Sequence, residues 1–125
     1  MKITLVSDSA VRYEATPGSL TVEAENAEQP YSPFHMLGSS LAVCTYSILS
    51  SWASHAGINA DSLSIDVSWT FAEKPHRVDA LTLTVAWPDL PPQRLEAAKR
   101  AALLCPVHAT LSHSPTILIE GRAQA

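Results

Sequence analysis

Apolar and polar positions alternate with a period of two in two neighbouring segments of the chain. Leu63 to Phe71 and Val78 to Trp87 follow this pattern, and turn residues around Pro75 separate them. Such alternation is typical of strands that have one buried face. The pattern predicts an antiparallel hairpin whose apolar face carries Trp69 and Trp87, and packing in a core or a dimer is the default role of these two rings.

Short β-prone segments also open the chain. They run from Lys2 to Ser7, from Val11 to Ala15 and from Leu20 to Glu25, and a turn signal at residues 16–19 separates the last two. These segments predict an N-terminal hairpin or meander.

A long segment between residues 31 and 60 contains no Asp, Glu, Lys or Arg. Its many serines, with Gly38 and His55, make it too polar for a membrane span. We predict instead a helix from about Phe34 to Ala56 that ends at Gly57. A helix without a charged face should be buried on nearly all sides, so we expect a partner chain to cover part of it.

One face of this helix is predicted to be the most buried, because its apolar residues recur every three or four positions. These residues are Leu37, Leu41, Cys44, Ile48 and Trp52. Cys44 is therefore expected where the helix is most deeply buried.

The rest of the chain predicts a second helix and a last strand. The helix should run from Gln93 to Cys105, with Pro106 kinking or ending it, and the strand from Thr116 to Glu120. The resulting order, β-β-α-β-β-α-β, indicates an α+β fold in which an antiparallel sheet packs on helices. We interpret residues 1–125 as a single domain.

Composition narrows the classes of function. The chain has 125 residues, 46% of them hydrophobic, which is enough for one core. A net charge of -4 without a basic run argues against a nucleic-acid partner. The first residues lack the apolar stretch of a secretory signal, so we expect a cytoplasmic protein with no membrane partner.

The two cysteines, Cys44 and Cys105, are the candidate chemistry. A thiolate that attacks a peroxide becomes a sulfenic acid, and a second thiol captures that acid as a disulfide. Cysteine is also common as a small core residue, so the residues alone leave both interpretations open. A proline directly after Cys105 would give that sulfur room to move.

Four features resemble the OsmC/Ohr superfamily of thiol-dependent hydroperoxide reductases: Pro33, the small-residue run from Leu37 to Thr45, the hairpin that follows, and Leu104-Cys105-Pro106-Val107 ahead of Leu111. The resemblance implies an OsmC-like fold, with an antiparallel sheet wrapped around a long central helix in an intertwined homodimer. It also implies a role in the oxidative stress response and no metal or organic cofactor.

The same resemblance implies a role for each cysteine. Cys44 would attack an organic hydroperoxide or hydrogen peroxide, and Cys105 would resolve the sulfenic acid as a Cys44–Cys105 disulfide. A dithiol or a small thiol would be the reductant. The alternative is a dimeric OsmC-like protein that binds a small ligand, or is structural, with little peroxidase turnover.

The sequence departs from the family pattern near the first cysteine. Ohr-type members carry a Glu about ten residues before it, which holds an Arg against the thiolate, whereas this chain has Phe34 with His35 beside it. Arg12 is the only arginine of the N-terminal segment, and His108 is a further helper or pocket candidate. A buried thiol without a cation has a raised pKa, so we expect a slow thiol.

A metal site is not expected from the sequence. His35 is either a helix cap or a substitute for the missing charged pair. Two cysteines and scattered histidines do not form a zinc pattern, even with His108 close to Cys105 in sequence.

Overall fold

A computed structural model describes residues 2–7, 10–14 and 32–123. The chain divides into two compact units, Met1–Pro30 and Tyr31–Ala125. A single domain over residues 1–125 stays a prediction.

The first unit contains two strands. β1 (Lys2–Ser7) pairs antiparallel with β2 (Ala10–Glu14), as the sequence predicted for these segments. The predicted third strand, Leu20 to Glu25, lies outside the described residues.

The second unit begins with the long helix α1 (Pro33–Ala56), whose predicted bounds are confirmed. Ser32 and His35 form a capping box at its start: the His35 N–H donates to Ser32 Oγ, and the Ser32 N–H donates to His35 Nδ1. Gly57 ends the helix with a left-handed φ of 69°, which glycine adopts without steric cost.

The buried face of α1 differs from the prediction. Its buried residues are Gly38, Leu41, Thr45, Leu49 and Ala53. This row is one residue away from the predicted face over most of its length, and Cys44 is only half-buried. Packing against the hairpin and the following helices selects the face, and α1 contacts both.

Other faces of α1 are open in the chain. The exposed serines are Ser40, Ser47, Ser51 and Ser54. Burial on nearly all sides is therefore wrong for the single chain, and its coverage by a partner stays a prediction.

The central hairpin confirms the period-two prediction. β3 (Ser64–Ala72) pairs antiparallel with β4 (Arg77–Ala86), and Trp69 lies opposite Leu81. At Gly38 a Cβ atom would lie 3.1 Å from Cζ3 of Trp69, so β3 packs very close to the α1 backbone.

The predicted second helix is two helices. After a short 3-10 turn (Pro92–Arg94), α2 runs over Leu95–Ala102 and α3 over Pro106–Ser112. Pro106 therefore begins a helix, and α2 ends before Cys105. The reason is that proline lacks an N–H and has its φ fixed, both of which suit the first helical position.

The predicted last strand, Thr116 to Glu120, is absent from the described chain. Residues 114–120 have no regular structure, because they pair with neither strand of the hairpin. Ile117, Leu118 and Ile119 are 81%, 78% and 96% exposed.

The core of the second unit lies where α1, α2 and the ends of the hairpin meet. Its buried members are Leu49, Ala53, Leu63, Trp87, Ala98 and Ala101. Trp87 satisfies its polar atom there, because its Nε1–H donates to the Asn59 carbonyl at 2.9 Å. Among the described residues, no helix is both long and apolar enough to cross a membrane.

Candidate active site: a pair of neighbouring thiols

The structure brings Cys44 and Cys105 together. Cys44 lies in the middle of α1, Cys105 lies directly before α3, and each thiol shifts the pKa of the other. Both are free thiols. Proximity between two thiols 61 positions apart in sequence is what reversible disulfide formation requires.

Cys105 takes its position from the proline that follows it. As the N-cap of α3 it has extended backbone angles (φ -62°, ψ 121°), and its Sγ accepts a hydrogen bond from the His108 N–H at 3.4 Å. An N-cap side chain normally supplies such an acceptor through oxygen, and here sulfur does so. The residue is 0% exposed.

Further donors converge on the Cys105 sulfur. Burial raises the pKa of this thiol, but hydrogen bonds from Cys44, the His108 N–H, the Thr45 hydroxyl and the Val107 N–H lower it more, so the pKa lies below its ordinary value. Donors stabilise the charged form of a thiol. The fold therefore favours a thiolate at Cys105.

Cys44 has the opposite electrostatics. Burial raises the pKa of its thiol, and the hydrogen bond with Cys105 raises it further, against a lowering effect of the Val107 N–H. The expected raised pKa is confirmed for Cys44, and no expectation had been stated for the pKa of Cys105. One negative charge shared by the pair thus resides mainly on Cys105.

Thr45 and Val107 were missed by the sequence analysis. Thr45 is buried on the same helical row as Leu41 and Leu49. The sequence could have indicated Thr45, because it lies four positions from both Leu41 and Leu49 and a buried hydroxyl needs a hydrogen-bond partner. Val107 acts through its backbone and gave no signal.

The helper candidates at the start of α1 have other contacts. The Phe34 ring packs edge-on against Phe71 with centroids 5.0 Å apart. His35 caps the helix, which confirms the capping interpretation, and its ring lies edge-on to Trp69 at 5.0 Å. Neither contributes to the pKa shifts of the two thiols. The side chain of Arg12 lies outside what the structure describes.

His108 is close to the thiol pair. Its N–H contacts Cys105, and its side chain lines a cavity of about 570 Å³ together with Thr45. Most of the lining is apolar and comes from β4 and α2, including Leu83, Val85 and Leu95. Within residues 32–123, no three His, Cys, Asp or Glu side chains come together as metal ligands.

Comparison with known proteins gives two similarities. The family model described as OsmC-like protein matches residues 15–120 of the chain. The fold is similar to the crystal structure of an osmotic stress induced and detoxification response protein from Psychrobacter arcticus 273-4, with a TM-score of 0.70 and 22% identity over 87% of this chain and 85% of that chain. No curated protein gives a significant match.

Proposed function

Since the chain belongs to the OsmC-like protein family, we propose that it is a thiol-dependent peroxidase that reduces organic hydroperoxides or hydrogen peroxide. The observation that supports this proposal is that the free thiols of Cys44 and Cys105 lie close enough for each to shift the pKa of the other. A detoxification-response protein of similar fold agrees with a role in the oxidative stress response.

The reaction uses both sulfurs. The Cys44 thiolate, which is half-buried rather than fully enclosed, attacks the terminal peroxide oxygen. The O–O bond breaks, the sulfur becomes a sulfenic acid, and the alkoxide leaves and takes up a proton. The Cys105 sulfur then attacks the sulfenic sulfur, so that the disulfide forms and water leaves. A dithiol or small thiols return the two electrons.

The cavity beside the pair favours hydroperoxides with an apolar part. Its volume of about 570 Å³ and its largely aliphatic lining suit an alkyl chain rather than a polar substrate. Thr45 and His108 belong to the lining and also donate to Cys105, so the cavity and the thiol pair have two residues in common.

The functional form is a homodimer in this proposal. Ile117, Leu118 and Ile119 are consecutive, β-prone and almost fully exposed, which a stable monomer avoids. We expect light scattering at low micromolar concentration to give twice the chain mass of 13.4 kDa. Leu118→Glu should shift the mass towards that of one chain, and a monomeric wild type would contradict the dimer.

The peroxidase reaction predicts a specific product. A brief treatment with an organic hydroperoxide should convert the wild type to the intramolecular Cys44–Cys105 disulfide, detected as a loss of two hydrogen atoms by intact mass spectrometry. Cys105→Ser should instead accumulate sulfenic or sulfinic acid on Cys44, because no second thiol is present.

A matched control separates this from nonspecific oxidation. Cys44→Ser should give neither the disulfide nor rapid peroxide consumption. Separate acids on both cysteines of the wild type, without a disulfide, would argue for the rival function of a dimeric ligand-binding protein with little turnover.

A further inference from the structure

The two sulfurs of the pair differ in access and in hydrogen bonding. Cys44 is half-buried, whereas Cys105 has no exposed surface. The Thr45 hydroxyl and the His108 N–H act on Cys105 alone, the latter at 3.4 Å from Sγ, whereas the Val107 N–H acts on both sulfurs. Such an asymmetry gives the two ends of a disulfide different chemistry.

We propose that the reducing thiol attacks the Cys44 sulfur of the Cys44–Cys105 disulfide and that Cys105 leaves as a thiolate held by Thr45, Val107 and His108. This inference rests on the proposed function, because the disulfide is the product of that reaction. Thiol–disulfide exchange depends on which sulfur is accessible and on how well the other sulfur leaves. Here both factors favour attack at Cys44 with Cys105 as the leaving group.

Reduction of the disulfide takes two electrons from two external thiols. The thiolate of an external small thiol or dithiol forms a new S–S bond with Cys44, and the Cys44–Cys105 bond breaks with its electron pair on Cys105. A second external thiol then attacks the external sulfur of this mixed disulfide. Cys44 is released and takes up a proton, and the two external thiols end as a disulfide, having supplied both electrons.

The thiol pair in the structure is the state that is reached when both steps of the reduction are complete. The donors to Cys105 are already in place there, so the leaving thiolate needs no rearrangement to be stabilised. The lowered pKa of Cys105 agrees with this direction, since a thiol of lower pKa leaves faster. The raised pKa of Cys44 makes it the poorer leaving group.

The cysteine that the reducing thiol attacks can be identified from the mixed disulfide that forms. The disulfide is prepared with diamide instead of a peroxide, so that the test does not depend on peroxidase activity. Brief exposure to 2-mercaptoethanol, an acid quench and peptide mapping should then show the mercaptoethanol adduct on Cys44. An adduct on Cys105, equal adducts on both, or no disulfide with diamide would overturn the proposal.

Failure of the proposed function has a different signature. In that case hydroperoxide leaves the wild type without a disulfide, while the diamide-made disulfide still reacts at Cys44.

A second measurement tests the leaving group. Thr45→Val removes one donor to the Cys105 thiolate and should slow reduction of the diamide-made disulfide by about three- to tenfold, if roughly half of one charge-assisted hydrogen bond is felt in the transition state. Thr45→Ser should retain most of the rate. Thr110→Val is the matched control, because the Thr110 hydroxyl donates to the Pro106 carbonyl and contacts neither sulfur.

A titration distinguishes this effect from general damage to the fold. In the reduced protein, the pH at which thiolate ultraviolet absorbance first appears should move upward in Thr45→Val and stay unchanged in Thr110→Val. If Thr45→Val titrates and is reduced like the wild type, Thr45 does not stabilise Cys105 as the leaving thiolate, and that part of the proposal is overturned.

Discussion

The rate at which Cys44 reacts with an organic hydroperoxide should rise by at least about tenfold between pH 7 and pH 10, since each pH unit below a pKa changes the thiolate fraction about tenfold. Burial and the neighbouring Cys105 raise the pKa of Cys44, so its thiolate is scarce at neutral pH. Raising the pH towards the elevated pKa therefore increases the fraction of Cys44 that is thiolate. Stopped-flow kinetics with excess hydroperoxide measures the rate.

Two variants make this experiment specific to the pair. Cys44→Ser should lack the reaction at every pH. Cys105→Ala removes a neighbour that raises the pKa of Cys44, so the rate profile should shift to lower pH, while burial still keeps that pKa above its ordinary value. Fast wild-type reduction with almost no pH dependence would contradict the raised pKa.

The second large effect concerns stability. Leu49→Ala should lower the free energy of unfolding by about 3 kcal/mol, because a buried leucine loses both its transfer free energy and its packing. Leu49 is 1% exposed and belongs to the core formed by α1, α2 and the hairpin. Chemical denaturation of the reduced protein, analysed by linear extrapolation, measures the loss.

Leu104 provides the matched control. It is also a leucine but is 72% exposed, so Leu104→Ala should change the free energy of unfolding by less than about 0.5 kcal/mol. Similar losses in both variants would show that the described core is not what stabilises the second unit.

Local patterns were sufficient to predict the long helix and the hairpin. The ends of α1 are determined by residues within one turn, Ser32 and Gly57, so they could be located from the sequence. The hairpin follows from an alternation that repeats along both strands. The buried face of α1 was wrong by one residue because helices and strands distant in sequence determine it.

The region around Cys105 shows the limit of local rules. A proline ends one helix or begins another equally well, and the choice depends on whether the preceding residue can cap the new helix. Here the cap is a sulfur atom, which no cap preference favours. The prediction of the last strand was wrong for a related reason. Residues of high β-propensity such as Ile117 and Ile119 form a strand only where another strand can pair with them.

The pairing of Cys44 with Cys105 was proposed from chemistry and family resemblance, and the structure places the two thiols close enough for each to shift the pKa of the other. The distribution of charge between them could not be predicted. It depends on the Thr45 hydroxyl and the His108 N–H, whose directions are set only when α3 packs against α1.

The close approach at Gly38 has a consequence for how precisely the thiol pair is held. A methyl group there would lie 3.1 Å from the Trp69 ring and 3.3 Å from Val67 Cγ1. A larger side chain would therefore move the hairpin away from α1. Cys44 lies six residues further along the same rigid helix, about 9 Å away. Trp69 and Val67 thus limit how closely α1 can approach β3. Because Gly38 has no side chain, it determines the distance between the helix that carries Cys44 and the hairpin.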